Sequence, residues 1–347
     1  MNQKYILPRL LAVFANKGKS HFSTLSGFSK TLAGRNPFRR SLAPLVLVAS
    51  VFFSHSAFAL SPIGSEDFGN DAYHSTVSEV RLVFFATDEH NHNVLDLKKD
   101  DFAVVDDENV IREFRSFTPS ASIKLDVIVL IDSSDSVLPH FQQEITNVAQ
   151  LISQSPWSPE DNVSAMSFAG LEAHLICSQN CRSSFAADQV VPGGAATPLL
   201  DAVETATTLL SQRRQPDVWP VIILFSDGDD TISKASFKDV QEEILATGAQ
   251  IYAVDIGNSG RSSNHNATLQ RLAADSGGRC VWLSEGASEI FSHVIDDLHS
   301  ARVVTYALPQ SNSAFHSVRI LPTRNLNLQF RCRRGYYHRA SSSEEAP

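Results

Sequence analysis

Apolar residues follow two different patterns along the chain. Between residues 121 and 305, continuous apolar runs such as LDVIVLI alternate with segments whose apolar residues recur every three or four positions. A continuous run is typical of a parallel strand that is buried on both faces, and the longer spacing is typical of a helix with one buried side. Alternation of the two predicts a doubly wound, mostly parallel α/β sheet that is flanked by helices.

Short segments rich in Val and Phe lie on both sides of this region. Residues 75–120 contain three such segments, which are separated by polar turn clusters, and residues 306–339 contain three more. Neither set is large enough for a stable core of its own. We therefore predict one small β-sandwich-like module formed from the N- and C-terminal flanks. Residues 60–74 are predicted to be a linker and residues 340–347 a disordered tail.

The first 59 residues differ from the rest in charge. They contain eight Lys or Arg residues and no Asp or Glu, and an apolar stretch, Leu42 to Phe53, precedes an A-x-A triplet that ends at Ala59. These features predict a secretory signal peptide at residues 1–59 that is cleaved before Leu60. An uncleaved membrane anchor and an organellar transit peptide are the alternatives. With a cleaved signal, we expect an exported protein that is not inserted in a membrane.

The remainder of the chain is strongly acidic. Beyond residue 59 it contains 21 Lys or Arg residues against 38 Asp or Glu residues, which gives a formal net charge of −17. A protein with this charge is poorly suited to bind nucleic acid or an anionic membrane surface. The charge favours solubility and the attraction of cations, so we expect no nucleic-acid partner.

A polar cluster follows the first apolar run. In the segment VLIDSSDSV, the strand pattern gives way at Asp132 to five polar residues. Asp132, Ser134 and Ser136 alternate, and residues two apart in an extended chain point to the same side. One carboxylate and two hydroxyls are hard oxygen donors that suit a small divalent cation. By itself the cluster also fits a helix cap, because Ser and Asp are common at N-caps.

Two further oxygen donors occur at similar places. Thr197 precedes Pro198 and an apolar helix pattern, and Asp227 follows the buried strand VIILFS. Alone, Thr197 fits a helix N-cap with Pro198 at the first helical position, and Asp227 fits a turn. Ligands of such sheets bind beyond the carboxyl ends of the strands. Donors on three loops of one sheet therefore predict a shared site with Asp132.

Read in order, these stretches resemble the von Willebrand factor type A domain. The metal-ion-dependent adhesion site of that family is written D-x-S-x-S, then Thr, then Asp. All five positions match, and they are Asp132, Ser134, Ser136, Thr197 and Asp227. The resemblance covers about residues 121–305. The flanking strands and the segment CRRGYYHR resemble a subgroup of exported bacterial proteins related to this domain.

The resemblance implies a metal site and a function. In the family, the two serines and the threonine contact Mg²⁺ or Mn²⁺, and the two aspartates act directly or through water. An acidic side chain of a partner protein often completes the coordination of the ion. The resemblance thus implies an exported bacterial protein, in the periplasm, at the cell surface or secreted. Such a protein would capture an exposed Asp or Glu of its partner through the cation, and we expect a monomer.

Two other functions remain open. A metal-dependent hydrolase would need a general base near Asp132, and the sequence offers none that we can name. His140 is expected on the first helix, more than one turn away, and the common nucleophile, phosphate and dinucleotide motifs are missing from the sequence. The second alternative is a structural domain of a cell-envelope complex. We favour a binding protein that is not an enzyme and has no catalytic residues.

Export makes the four cysteines candidates for disulfide bonds. Cys177 and Cys181 are close enough in sequence for a local bridge, which leaves Cys280 to pair with Cys332. Four cysteines allow three pairings. A zinc site that uses His174 with the first two cysteines, and buried free thiols, are the alternatives.

Overall fold

The computed structural model describes six segments of the chain, namely residues 79–119, 123–179, 181–257, 265–282, 287–310 and 313–337. They all belong to one compact unit that spans Ala72–Pro347. The predicted signal peptide, linker and tail lie outside the described residues. None of the helices in the described segments combines the length and the apolar character that a membrane crossing requires.

Strands and helices alternate through the middle of the described chain. The strands are β1 (Glu79–Thr87), β2 (Phe102–Asp106), β3 (Asn109–Ile111), β4 (Ser116–Pro119), β5 (Lys124–Asp132), β6 (Asn162–Ala169), β7 (Glu172–Cys177), β8 (Val218–Ser226), β9 (Gln250–Asp255), β10 (Cys280–Trp282), β11 (Arg302–Ala307), β12 (Phe315–Pro322), β13 (Gln329–Cys332) and β14 (Gly335–Tyr337). The helices are α1 (Phe141–Gln154), α2 (Cys181–Ser184), α3 (Leu199–Gln212), α4 (Phe237–Thr247), α5 (His265–Ser276) and α6 (Ala287–Ser300).

The central sheet confirms the predicted α/β fold. Its six strands lie in the order β10-β9-β8-β5-β6-β7, and the neighbouring strands are parallel except for β6 and β7. Gly170, with φ 66°, forms the tight turn between these two strands, a conformation that favours glycine. Helices cover both faces of the sheet. Val148 of α1 and Leu298 of α6 pack on one face, and Val203 of α3 and Ile244 of α4 pack on the other.

Strand β5 shows why the apolar run is continuous. Val127, Val129 and Ile131 belong to the core under α1, whereas Ile128 and Leu130 belong to the core under α3. All five side chains are fully buried. Burial of an apolar side chain of this size contributes about 1.5–3 kcal/mol, so the centre of the sheet is a rigid base for the loop that follows β5.

The two flanks form one β module, as the fold-class prediction states. One sheet has the order β13-β1-β11-β4 and the other the order β14-β12-β2-β3, so each sheet combines strands from both ends of the chain. Their shared core includes Leu82, Phe84, Phe102 and Tyr306. Strand β11 starts directly after α6 and runs across the boundary that we predict between residues 305 and 306.

The cysteines agree with the prediction only in part. Cys177 and Cys181 form a disulfide that links the end of β7 to α2, which excludes the zinc alternative for these two thiols. The predicted bridge between Cys280 and Cys332 is wrong, because both are free thiols. Cys280 packs against the core of the central sheet, whereas Cys332 packs against the core of the β module. Burial raises the pKa of each thiol to about 12.

Candidate metal centre

The end of β5 brings three of the predicted donors together. Asp132 Oδ1 accepts hydrogen bonds from the backbone N–H of Ser134 at 3.0 Å and from its hydroxyl at 2.6 Å. The hydroxyl oxygens of Ser134 and Ser136 lie 3.0 Å apart. Asp132 and Ser134 are buried, and Ser136 is exposed. Ser133, between them, faces the other way and donates to the carbonyl of Phe168 at 3.2 Å.

Backbone hydrogen bonds tie the other two donor loops to this one. Asp135 N–H donates to the carbonyl of Gly194 at 3.1 Å, which joins the first loop to the segment before Thr197. Gly194 also packs closely against the turn at Gly170. A Cβ on Gly194 would lie 2.9 Å from the backbone nitrogen of Gly170, so only glycine allows this contact. Thr231 N–H donates to the carbonyl of Thr197 at 3.0 Å, which joins the second loop to the one that contains Asp227.

Thr197 is not the N-cap of α3, although its position before Pro198 fits one. Helix α3 begins at Leu199, and the residue before it, Pro198, provides no side-chain cap. The N–H of Leu199 donates instead to Asp230 Oδ1 at 3.1 Å. Asp230 therefore has a structural role, although its place in a polar loop gave no sign of one. Thr197 itself is buried, next to the loop of Asp227.

The two predicted aspartates differ in environment. Asp132 is 0% exposed, and burial raises its pKa to about 6, although hydrogen bonds from Ser134 and Ser226 favour the ionised form. The charge of Asp227 raises the pKa of Asp132 further. Asp227 is only half-buried, and its Oδ1 accepts a hydrogen bond from the N–H of Asp229 at 3.1 Å. A divalent cation would stabilise both ionised carboxylates.

The donor set fits a hard cation. Because Ser134 gives its hydroxyl proton to Asp132, lone pairs of its oxygen remain for an ion. The 3.0 Å between the hydroxyl oxygens of Ser134 and Ser136 is close to the spacing of adjacent ligands in an octahedron with bonds of about 2.1 Å. Ser136 is exposed, so one side of the cluster is open to a partner.

The sequence analysis does not assign two further residues, Ser226 and Glu144, to the metal centre. The hydroxyl of Ser226 donates to Asp132 Oδ2 at 2.7 Å, so both oxygens of Asp132 are occupied. Glu144 lies on α1, is 0% exposed, and has no hydrogen-bond partner on either carboxylate oxygen. The helix spacing does give a signal for Glu144, because it follows Phe141 by three positions and precedes Val148 by four on the apolar side.

A second acidic cluster lies in the β module. Among the described residues, Asp106, Asp107 and His316 have ligand atoms within 4.8 Å of one another. His316 Nδ1 is 3.1 Å from Asp106 Oδ1 and 3.2 Å from Asp107 Oδ2. The hydroxyls of Tyr306 and Tyr336 donate to Asp106 Oδ2 at 2.8 and 2.7 Å. The spacing would admit an ion, but both oxygens of Asp106 already have hydrogen-bond partners and His316 lies between the two carboxylates.

Comparison with known proteins gives one family and one curated relative. Residues 126–293 match the model of the von Willebrand factor type A domain. The magnesium-chelatase 67 kDa subunit of Chlorobaculum tepidum is 24% identical over 179 residues. This alignment covers 47% of the present chain and 29% of the relative, so the chain spans less than a third of the length of the curated relative that it matches.

Several solved structures are similar at a lower level. Proximal thread matrix protein 1 from the mussel byssus, in a structure with a zinc-occupied MIDAS motif, is 18% identical with a TM-score of 0.44, over 56% of this chain and 50% of that one. An aerotolerance-related membrane protein from Bacteroides fragilis is 16% identical with a TM-score of 0.37, over 50% of this chain and 98% of that one. Likeness at this level carries no information on function.

The family match and the fold concern the same part of the chain. The matched residues begin within β5 and end within α6. They include the carboxyl ends of the strands, where the three polar loops meet. Domains of this family generally mediate protein–protein interactions through a divalent cation. Residues 126–293 are therefore a von Willebrand factor type A domain.

Proposed function

We propose that this protein is an exported binding module that captures an acidic side chain of a partner protein through a divalent cation. The ion, Mg²⁺ or Mn²⁺, would be held by Asp132, Ser134, Ser136, Thr197 and Asp227. The observation that carries the proposal is the chain of short contacts from Asp132 through Ser134 to the exposed Ser136. It leads from the buried carboxylate of Asp132 to a hydroxyl residue at the surface, Ser136.

The bound ion would supply an electrophilic centre for an incoming carboxylate. The protein's own residues would hold the hydroxyl donors in place: Ser226 anchors Asp132, and Asp132 in turn orients Ser134. Because Asp132 already accepts three hydrogen bonds, we expect it to act on the ion through Ser134 or a water molecule. The exposed side at Ser136 then remains available for the Asp or Glu of a partner.

Export and the bacterial source are also part of this proposal. The signal peptide predicted at residues 1–59 supports export, and the disulfide between Cys177 and Cys181 fits an oxidising compartment. We propose a monomeric protein of the periplasm, cell surface or medium that resembles the exported bacterial subgroup.

A hydrolase is less well supported. His140 is the first histidine after the donor cluster, and its Nε2 is buried without a hydrogen-bond partner, so it is poorly placed to activate water at Ser136. We propose that the protein is not an enzyme. A structural domain with an unused site stays as the second alternative, and it predicts that cations have no effect on partner binding.

The test is capture of a partner with the immobilised mature protein, from envelope extract of the source organism. In Mg²⁺ we expect one set of proteins to bind to the wild type, to be released by a chelator and to be missing with Asp132→Asn. Ser133→Ala is the matched control and should capture like the wild type. The proposal would be contradicted if neither the chelator nor Asp132→Asn changed the set of captured proteins. Metal-dependent turnover of a simple phosphate or ester substrate would favour the hydrolase.

A further inference from the structure

Glu144 is a charged residue in an apolar position. It lies in the first turn of α1, on the side that carries Phe141, Ile145 and Val148 into the core of the central sheet. The side chain is 0% exposed, and neither carboxylate oxygen has a hydrogen-bond partner. Glu144 therefore differs from Asp132, whose oxygens accept three hydrogen bonds.

An unpartnered carboxylate in a core is strongly destabilising unless a proton or a cation neutralises it. The positive end of the α1 dipole favours an acid in the first turn, but this effect is smaller than the cost of burial. His140, one turn earlier, also has a buried ring nitrogen without a partner, so the two groups do not satisfy each other. The described residues thus leave the Glu144 carboxylate without a partner of its own.

The strand pattern places Glu144 and Asp227 toward the same face of the central sheet. Val221, Ile223 and Phe225 of β8 pack in the same core as Phe141, and Asp227 continues this alternation at the end of the strand. Burial raises the pKa of Glu144 well above its usual range, and the charges of Asp132 and Asp227 raise it further. Both aspartates therefore act electrostatically on the Glu144 carboxylate, in agreement with its position on the Asp227 side of the sheet.

We propose that Glu144 is a third carboxylate of the metal centre, which helps Asp132 and Asp227 to neutralise the cation, directly or through a water molecule. The inference rests on the proposed function, because it requires a cation at the Asp132 cluster. Two carboxylates balance a divalent cation formally. A third gives the site a net negative charge, which strengthens the hold on the cation and weakens its attraction for a partner's acid.

The experiment measures Mn²⁺ and Mg²⁺ binding by titration calorimetry at pH 7 with the full mature protein. We expect Glu144→Gln and Glu144→Met to lower the affinity at least about tenfold, as removal of supporting groups around metal sites does. The metal-free melting temperature should stay the same or rise, and the rise in melting temperature caused by the metal should shrink. The methionine variant keeps the test valid if a buried amide impairs folding.

Asp126→Asn is the matched control. Asp126 is a buried carboxylate at the opposite end of β5, where its Oδ1 accepts a hydrogen bond from Asn162 at 2.7 Å. This variant removes the same formal charge and should bind the metal like the wild type. If Glu144 variants keep wild-type affinity while Asp132→Asn loses it, the role of Glu144 is overturned and the proposed function survives. If the wild type binds no metal, both fail.

Discussion

The two buried acidic clusters of this protein resemble each other in composition and differ in their hydrogen bonds. In the β module, Asp106 is held by His316 and by the hydroxyls of Tyr306 and Tyr336. At the edge of the central sheet, Asp132 has hydrogen-bond donors, but Glu144 nearby has none. A cluster whose polar atoms satisfy one another stabilises the fold, whereas buried oxygens without a partner need a separate explanation, for which we propose the cation.

The largest expected effect concerns the β module. Asp106→Ala would leave both tyrosine hydroxyls and His316 without their acceptor, and loss of one partner from a buried polar network costs about 3–5 kcal/mol. We expect the free energy of unfolding, from urea denaturation, to fall by about this amount. Metal affinity of the Asp132 cluster should not change. A small loss of stability combined with a loss of metal binding would reverse the roles assigned to the two clusters.

A second, slightly smaller effect concerns pH. The pKa of Asp132 is about 6 in the folded protein, against an ordinary value of 3.8, so the folded state keeps a proton that the unfolded state releases. In the absence of metal, the bound proton stabilises the folded protein. This contribution to the free energy of unfolding is fully present below about pH 4 and is lost as the pH rises to about 6, a change of about 3 kcal/mol. Glu144 contributes in the same direction.

Urea denaturation between pH 4 and pH 7, with chelator and with Mg²⁺, checks this expectation. The difference in stability between the wild type and Asp132→Asn should change with pH across this window in the chelated protein. Saturating Mg²⁺ should restore stability at pH 7, because the cation favours the ionised carboxylate. A difference that stays constant from pH 4 to pH 7 would contradict the environment assigned to Asp132.

The fold was predictable because its signals are local. The run from Val127 to Ile131 is apolar at every position, and the structure buries alternate side chains in two different cores. The D-x-S-x-S spacing likewise predicts that Asp132, Ser134 and Ser136 converge, which the hydrogen bonds confirm. Their role as metal ligands stays a prediction.

The remaining features depend on contacts between distant parts of the chain. Asp230 caps α3 from another loop, and Ser226 at the end of β8 donates a hydrogen bond to Asp132 at the end of the neighbouring strand β5. Cys280 and Cys332 lie in different cores, which their spacing in the sequence does not reveal. Glu144 was detectable as an acid on the apolar side of α1, but only the structure relates it to the aspartates at the carboxyl ends of the strands.

The central claim is that the cluster around Asp132 binds a divalent cation. Titration calorimetry with Mg²⁺ and Mn²⁺ at pH 7, on the wild type, Asp132→Asn and Ser133→Ala, tests it most directly. We predict that one ion binds to the wild type and to Ser133→Ala, whose side chain faces Phe168. Asp132→Asn should lose about 10–100-fold in affinity, as removal of a group that orients metal ligands does. Equal binding by all three proteins would contradict the claim, and Asp132 would then serve only to order its loop.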